Sequence, residues 1–174
     1  MLNTEKWEKA AQFHGHKCPG LAIGLRVCEA LSIKIPTGAS ADEEIVCITE
    51  NDTCAVDAVQ SILSCTVGKG NLIYKPYGKM AFSFYFRESG AKLRILLKAV
   101  KNDETSREDW MSYILNASID DLFSFGEPTF ELPDKAHLFR SVVCEECGER
   151  AREDKIRLKN GQMVCLACFK EYDR

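Results

Sequence analysis

Apolar residues along the first 130 positions follow helical and strand spacings that predict about five helices and four strands. The helical segments are residues 4–12, 19–33, 53–64, 105–116 and 118–124. The strand segments are residues 44–49, 71–76, 79–87 and 91–99. Because the last three strands follow one another, we expect them to pair antiparallel. Helices precede and follow these strands, which predicts an α+β fold: an antiparallel sheet with helices packed on it.

The segment 79–87 has the alternation of a strand at the surface of a core. Phe82, Phe84 and Phe86 alternate with Ser83 and Tyr85. This pattern is typical of an antiparallel strand with one buried face and one solvated face. The phenylalanine face is therefore predicted to be buried, either over the core of a monomer or between two copies of the chain.

A second, smaller module is predicted from cysteine spacing near the C-terminus. The spacing is Cys144-x2-Cys147-x17-Cys165-x2-Cys168, which is typical of a structural zinc site with four thiolates at about 2.3 Å. Asn160-Gly161 predicts a tight hairpin turn between the two cysteine pairs. A short helix from Leu166 to Tyr172 would follow. Knuckle, hairpin and helix in this order resemble a treble-clef zinc finger.

These patterns divide the chain into three parts. The α+β core is assigned to residues 1–130, and the zinc finger to residues 143–174. Residues 131–142 contain a Leu-Pro-Asp-Lys break in the apolar pattern and are assigned to a linker.

Composition narrows the class of protein. The net charge is −3, which argues against non-specific nucleic-acid binding, and the basic residues of the finger are offset by acidic ones. The longest apolar runs are far shorter than the roughly 20 residues that span a bilayer. A charged N-terminus and many cysteines predict a cytoplasmic protein whose cysteines bind metal rather than form disulfides.

The strongest candidate for chemistry lies just before the second helix. His14, His16 and Cys18 alternate, so their side chains can face one cavity, and a helix N-terminus favours the thiolate form of a nearby cysteine. Cys54 and Asp57 lie on one face at the start of the third helix. Together these residues predict a mixed nitrogen, sulfur and oxygen site for a transition metal.

The other cysteines of the core and Lys69 are less specific signals. Cys28 and Cys47 are interpreted as small core hydrophobes. Cys65 either belongs to the core or lines the same cavity as Cys18. Lys69, between two glycines, either holds an anionic group of a cofactor or lies in a plain tight turn.

Three segments together resemble the FmdE-like family, which is named after a component of formylmethanofuran dehydrogenase. They are His14-Gly-His16-Lys-Cys18-Pro-Gly20, Asp52-Thr-Cys54-Ala-Val-Asp57-Ala and Cys65-Thr-Val-Gly-Lys69-Gly-Asn71-Leu. The likeness covers roughly residues 5–125, and the finger looks like an auxiliary module of some members. The resemblance implies a homodimer with the histidines and Cys18 in a cleft, and a link to molybdenum- or tungsten-pterin oxidoreductases.

Three hypotheses for function follow. The first is a metal-binding accessory protein that serves oxidoreductase subunits, with a structural zinc in the finger and a second metal, Zn2+ or alternatively Ni2+ or Fe2+, in the core. The second is an enzyme acting on a small carbonyl or C1 ligand, with Cys18, His16 and Asp57 as catalytic residues. The third is a regulatory zinc-finger protein that binds nucleic acid or another protein. The negative net charge argues against DNA as the partner.

Overall fold

The computed structural model describes residues 3–171 and separates into two compact units. The first unit ends at Lys135 and the second begins at Ala136, a division that falls within the segment assigned to the linker. Over residues 3–171, no helix combines the length and the apolar character needed to cross a membrane.

Five helices belong to the first unit. They are α1 (Thr4–His14), α2 (Pro19–Lys34), α3 (Ala55–Leu63), α4 (Arg107–Asn116) and α5 (Ile119–Leu122). Side chains cap four of them: Asn3 accepts from a backbone N–H at the start of α1, Cys18 at α2, Ser106 at α4 and Ser118 at α5. Gly15 ends α1 with a positive φ of 92°, which a glycine adopts without strain.

The first unit also contains a five-stranded sheet. Its strands are β1 (Ile45–Thr49), β2 (Leu72–Tyr74), β3 (Ala81–Phe86), β4 (Lys92–Leu97) and β5 (Phe123–Gly126), in the order β2-β1-β3-β4-β5. Three of the pairings are antiparallel, and β1 pairs with β2 in parallel. The α+β class with antiparallel pairing is confirmed.

Two details of the predicted sheet are wrong. β2 does not form an antiparallel hairpin with β3. It runs parallel to β1, because α3 connects the two strands as a crossover and returns the chain in the same direction. The predicted helix over 118–124 ends at Leu122, and the chain continues as β5, which pairs with β4.

The core lies between the helices and one face of the sheet. Phe82, Phe84 and Ile95 are fully buried there with the apolar faces of the helices. The opposite face was predicted to be solvated, but Ser83 and Tyr85 are buried. Phe130 packs on this second face, and the Tyr85 hydroxyl donates a hydrogen bond to its carbonyl oxygen. The segment that follows β5 therefore covers part of the sheet.

Three cysteines lie inside this core. Cys28, Cys47 and Cys65 are each at most 1% exposed. Burial raises the pKa of all three thiols, that of Cys65 to about 12. The interpretation of Cys28 and Cys47 as core hydrophobes is confirmed, and Cys65 joins them.

Helices α2 and α3 approach each other closely at their N-terminal ends. A Cβ built on Gly24 would lie 2.1 Å from the carbonyl oxygen of Ala55, and one on Gly20 would lie 3.1 Å from the Cβ of Cys54. Glycine at both positions lets the two backbones pack without side chains between them. This contact places the loop before α2 next to the start of α3.

We expect Gly24→Ala to lower the free energy of unfolding by about 3 kcal/mol, the upper part of the range for overpacking, because the backbone at Ala55 must move. Urea unfolding followed by tryptophan fluorescence measures this, since Trp7 and Trp110 both lie in the first unit. Gly38→Ala is the control, because a Cβ there meets nothing within 4 Å. Equal unfolding midpoints for the two variants would contradict the prediction.

The second unit consists of two small hairpins. β6 (Ser141–Val143) pairs with β7 (Arg150–Arg152), and β8 (Ile156–Lys159) pairs with β9 (Gln162–Cys165), with a 3-10 turn over Glu153–Lys155. The predicted turn at Asn160-Gly161 is confirmed, with φ values of 51° and 85°. The pairing of β6 with β7 was not predicted.

The helix predicted from Leu166 to Tyr172 is wrong over the described residues. Residues 166–168 form a turn, in which the N–H of Phe169 donates to the carbonyl of Cys165 at 2.9 Å, and residues 169–171 have no regular structure. Tyr172 lies outside the described residues.

Candidate metal centres

The four cysteines of the second unit converge on one point. Their sulfur atoms all lie within 4.8 Å of one another, and the Cys147 and Cys165 sulfurs are 4.0 Å apart. A tetrahedral site with Zn–S bonds of about 2.3 Å requires sulfur separations of about 3.8 Å. The thiols therefore fit a zinc ion with little movement. Four protein ligands leave no open coordination position, so the site is structural.

Backbone N–H groups stabilise the thiolate form of one of these ligands, Cys144. The N–H of Cys165 donates to the Cys144 sulfur at 3.3 Å. Backbone N–H groups of Cys147 and Cys165 lower the pKa of Cys144 to about 6, which favours the thiolate. The positive φ of Gly148, 75°, closes the turn between the first two cysteines.

A second group of possible ligands lies between α1 and α2. One ligand atom from each of His14, His16 and Cys18 lies within 4.8 Å of the others. The Cys18 sulfur is 3.7 Å from Nε2 of His14 and accepts the N–H of Leu21 at 3.3 Å. The left-handed turn at Gly15 reverses the chain after α1 and brings the three side chains together.

Asp57 fixes the orientation of His14. Its Oδ2 atom is 2.7 Å from Nδ1 of His14, so Nε2 is left facing Cys18. Gln60 donates from Nε2 to Oδ1 of the same carboxylate at 3.1 Å. A carboxylate on the far nitrogen of an imidazole is the usual partner of a metal-ligating histidine. Gln60 was missed from sequence, although its spacing of three residues from Asp57 on a helix is a usable signal.

Cys54 lies beside Cys18 but outside the three-residue group. Burial raises the pKa of the Cys54 thiol, and the neighbouring Cys18 sulfur raises it further. His16 is exposed at the edge of the group, while Cys18 is buried. Two imidazoles and one thiolate fit a divalent transition metal, and three protein ligands leave a position that Cys54, water or a ligand can fill.

Lys69 lies in a different environment. Its ammonium group donates to the carbonyl oxygens of Ser40 at 3.0 Å and Ala41 at 3.5 Å, and so ties the turn after α3 to the loop before β1. Anion binding by Lys69 stays a prediction.

The fold and the two ligand groups define the class: an α+β protein with a His/Cys metal-binding group in its core unit and a separate four-cysteine zinc finger. The sequence profile of FmdE, described as "Molybdenum formylmethanofuran dehydrogenase operon", matches residues 13–124. The chain therefore belongs to the FmdE family. Residues 138–174 match the prokaryotic dksA/traR C4-type zinc finger.

Two relatives extend this result. The crystal structure of a tungsten formylmethanofuran dehydrogenase FmdE-like protein from Syntrophus aciditrophicus superposes with a TM-score of 0.72 at 27% identity, over 95% of this chain and 90% of that one. A "Probable S-adenosyl-L-methionine-binding protein" of Archaeoglobus fulgidus is 29% identical over 94% of this chain. The chain spans about half, 52%, of the length of that curated relative.

Proposed function

We propose that the core group of His14, His16 and Cys18 holds a divalent transition metal and that the protein is a metal-binding accessory of a molybdenum- or tungsten-pterin oxidoreductase of the formylmethanofuran dehydrogenase type. The observation that carries the metal site is the contact between Asp57 and Nδ1 of His14 at 2.7 Å. It sets the tautomer in which Nε2 of His14 is a free electron-pair donor next to the Cys18 sulfur.

The ligand atoms, two imidazole nitrogens and one thiolate sulfur, limit the class of metal that binds. Imidazole and thiolate ligands suit zinc, nickel and iron better than magnesium or calcium, which prefer oxygen. Zinc is the first candidate, and Ni2+ and Fe2+ are the alternatives. We expect Cys54, which lies beside Cys18, to contribute a second sulfur when it loses its proton on metal binding.

The accessory role is supported by membership of the family and by the likeness to the Syntrophus protein. The sequence lacks the run of four close cysteines that holds ferredoxin-type clusters, so electron transfer is assigned to partner subunits. Homodimer formation around the cleft belongs to the same proposal.

Metal analysis of the full chain and of a Cys165→Ser/Cys168→Ser variant tests the metal site. We expect about two metals per full chain and about one in the variant, whose X-ray absorption should show mixed nitrogen and sulfur ligands. A variant with no bound metal would overturn the proposal.

Affinity capture of the tagged chain from cells that express a pterin oxidoreductase tests the accessory role, with capture expected for the native chain.

An enzyme is the second candidate, because three protein ligands leave an open coordination position. A bound metal would polarise a small carbonyl or C1 substrate there. Asp57 orients His14 in this case. The alternative needs no metal: the Cys18 thiolate attacks the substrate, and His16, exposed at the edge of the group, takes up the thiol proton. Azide added to cobalt-loaded protein should change the cobalt spectrum if the position is open, and an unchanged spectrum would exclude the metal-dependent form of this candidate.

We expect Asp57→Ala to weaken metal binding at the core site by about 10- to 100-fold, the usual effect of removing the partner of a ligating histidine. Competition with a chromophoric chelator, after zinc has filled the finger, measures the affinity. Asp103→Asn, an exposed change in a loop, should leave it unaltered. Unchanged affinity in Asp57→Ala would show that His14 is not held for a metal.

A further inference from the structure

A cavity of about 210 Å3 lies beside the core metal group, on the other side of Asp57. The end of β1, the start of α3 and strand β2 enclose it. The lining residues that determine its charge and its apolar surface are Asp52, Val56, Asp57, Gln60, Leu72 and Tyr74. Its volume is below the roughly 300 Å3 of pockets that hold drug-sized molecules, so only a small ligand fits.

The charged side chains that line the cavity are both acidic. Asp52 and Asp57 contribute carboxylates, and among the lining residues that the structure describes there is no lysine, arginine or histidine. The side chain of Asp57 is 34% exposed, and its carboxylate is hydrogen-bonded by His14 and Gln60. Asp52 is exposed at the rim. The cavity therefore presents an excess of negative charge and of hydrogen-bond acceptors.

The neutral polar side chains of Thr49, Asn51 and Thr53 do not compete for a ligand, because each already has a hydrogen-bond partner within the protein. The Thr49 hydroxyl donates to the Asn51 carbonyl at 2.7 Å, and the Thr53 hydroxyl donates to Oδ1 of Asn51 at 2.8 Å. Asn51 is 2% exposed and donates from Nδ2 to the carbonyl oxygen of Lys79. Both oxygens of Asp57 already accept a hydrogen bond, so Asp57 contributes chiefly its charge, and the exposed Asp52 carboxylate is the group left to accept a hydrogen bond from a charged ligand.

The remaining surface is apolar and aromatic. Val56 and Leu72 form an apolar wall, and Tyr74, a residue that is 48% exposed, lies at the rim with Asp52. Partial burial and the Asp52 carboxylate raise the pKa of the Tyr74 hydroxyl, as expected for close neighbours. Carboxylates beside an aromatic face and an aliphatic wall are the combination that binds organic cations.

We propose that this cavity binds a small organic ammonium ion. The charged nitrogen is held between Asp52, Asp57 and the Tyr74 ring, and a short alkyl chain packs against Val56 and Leu72. A divalent metal ion fits the cavity less well, since Asp52 belongs to no cluster of three ligand groups within the described residues. The proposal goes beyond the core metal site and does not depend on it.

Isothermal titration of the full, metal-loaded chain with n-butylammonium, n-butanol and butyrate tests the proposal. We expect saturable binding of n-butylammonium with a dissociation constant below about 1 mM, and no saturation by the neutral or anionic probes. Asp52→Asn should weaken binding by about tenfold or more, because it removes a charge-assisted hydrogen bond. Asp52 is chosen because Asp57 also holds His14, so that loss of the metal and loss of the ammonium ion stay distinguishable.

Two further variants test whether the Tyr74 ring contacts the bound ammonium ion. Tyr74→Ala should weaken n-butylammonium binding, and Tyr74→Phe should retain it, since the aromatic face is kept. Asp103→Asn is the control for a change in net charge, and the unfolding transition of each variant is followed by tryptophan fluorescence. No saturation by n-butylammonium, equal binding of n-butanol, unchanged affinity in Asp52→Asn, or displacement by millimolar Ca2+ would overturn the proposal.

Discussion

Removal of zinc from the four-cysteine finger should unfold the hairpins of the second unit and leave the sheet of the first unit intact. Within its described residues, the finger buries a small apolar cluster around Val164, with Ile156 and Phe169 packed on it, which is too little to balance the loss of chain entropy. Zinc supplies about 10–16 kcal/mol of binding free energy in isolated fingers, and here it should supply most of the folding free energy of the unit. Hydrogen exchange after treatment with a chelator measures amide protection in each of the two units separately.

The matched variants for this prediction are Cys147→Ser and Leu166→Ser. Both introduce a serine at an exposed position in a turn of the finger, but only the first removes a ligand. We expect amide protection in β8 and β9 to disappear in Cys147→Ser and to persist in Leu166→Ser, with the core strands protected in both. Protected finger amides in the metal-free protein would show that packing alone holds this unit.

Cys18→Ser should weaken metal binding at the core site by more than about 100-fold without unfolding the protein. The change removes the only thiolate of the three-residue group, and removing a ligand exceeds the 10- to 100-fold effect of removing its supporting partner. Serine is a good helix N-cap, so its hydroxyl can take over the hydrogen bond from Leu21 that the sulfur accepts at 3.3 Å. The variant therefore separates the metal role of Cys18 from its structural role.

Cys28→Ala is the control for that experiment. Cys28 lies in the same helix, α2, and is buried in the core with its sulfur directed to the carbonyl of Ala58 at 3.8 Å. We expect normal metal affinity in Cys28→Ala, measured by chelator competition with the finger already filled by zinc. A similar loss of metal in both variants would mean that helix packing, and not the thiolate, sets the affinity.

Local rules account for the features that could be predicted from sequence. Proline at the first position of α2, the Asn160-Gly161 turn and the paired cysteines of the finger each act within a few residues, where backbone geometry leaves little choice. The four longer helices, α1 to α4, were also found close to their predicted bounds. Their apolar stripes are long enough to specify a period.

Features that depend on distant parts of the chain were not predicted. β2 has only three residues, and its parallel pairing with β1 is decided by the crossover through α3 rather than by its own pattern. Tyr85 is buried because Phe130, 45 residues later, packs on its face of the sheet. In the candidate site, alternation grouped His14 with Cys18, but the direction of the imidazole is set by Asp57, 43 residues away.

The three core thiols give the unaltered chain an internal reporter of its own opening. Alkylating reagents attack the thiolate, and burial both raises the pKa of Cys28, Cys47 and Cys65 and excludes the reagent. These three cysteines should therefore react only when the first unit opens, whereas Cys147 is exposed on the finger and protected by zinc alone. Mass spectrometry of alkylated peptides over time would then give two separate rates from one sample, one for opening of the core and one for release of the metal.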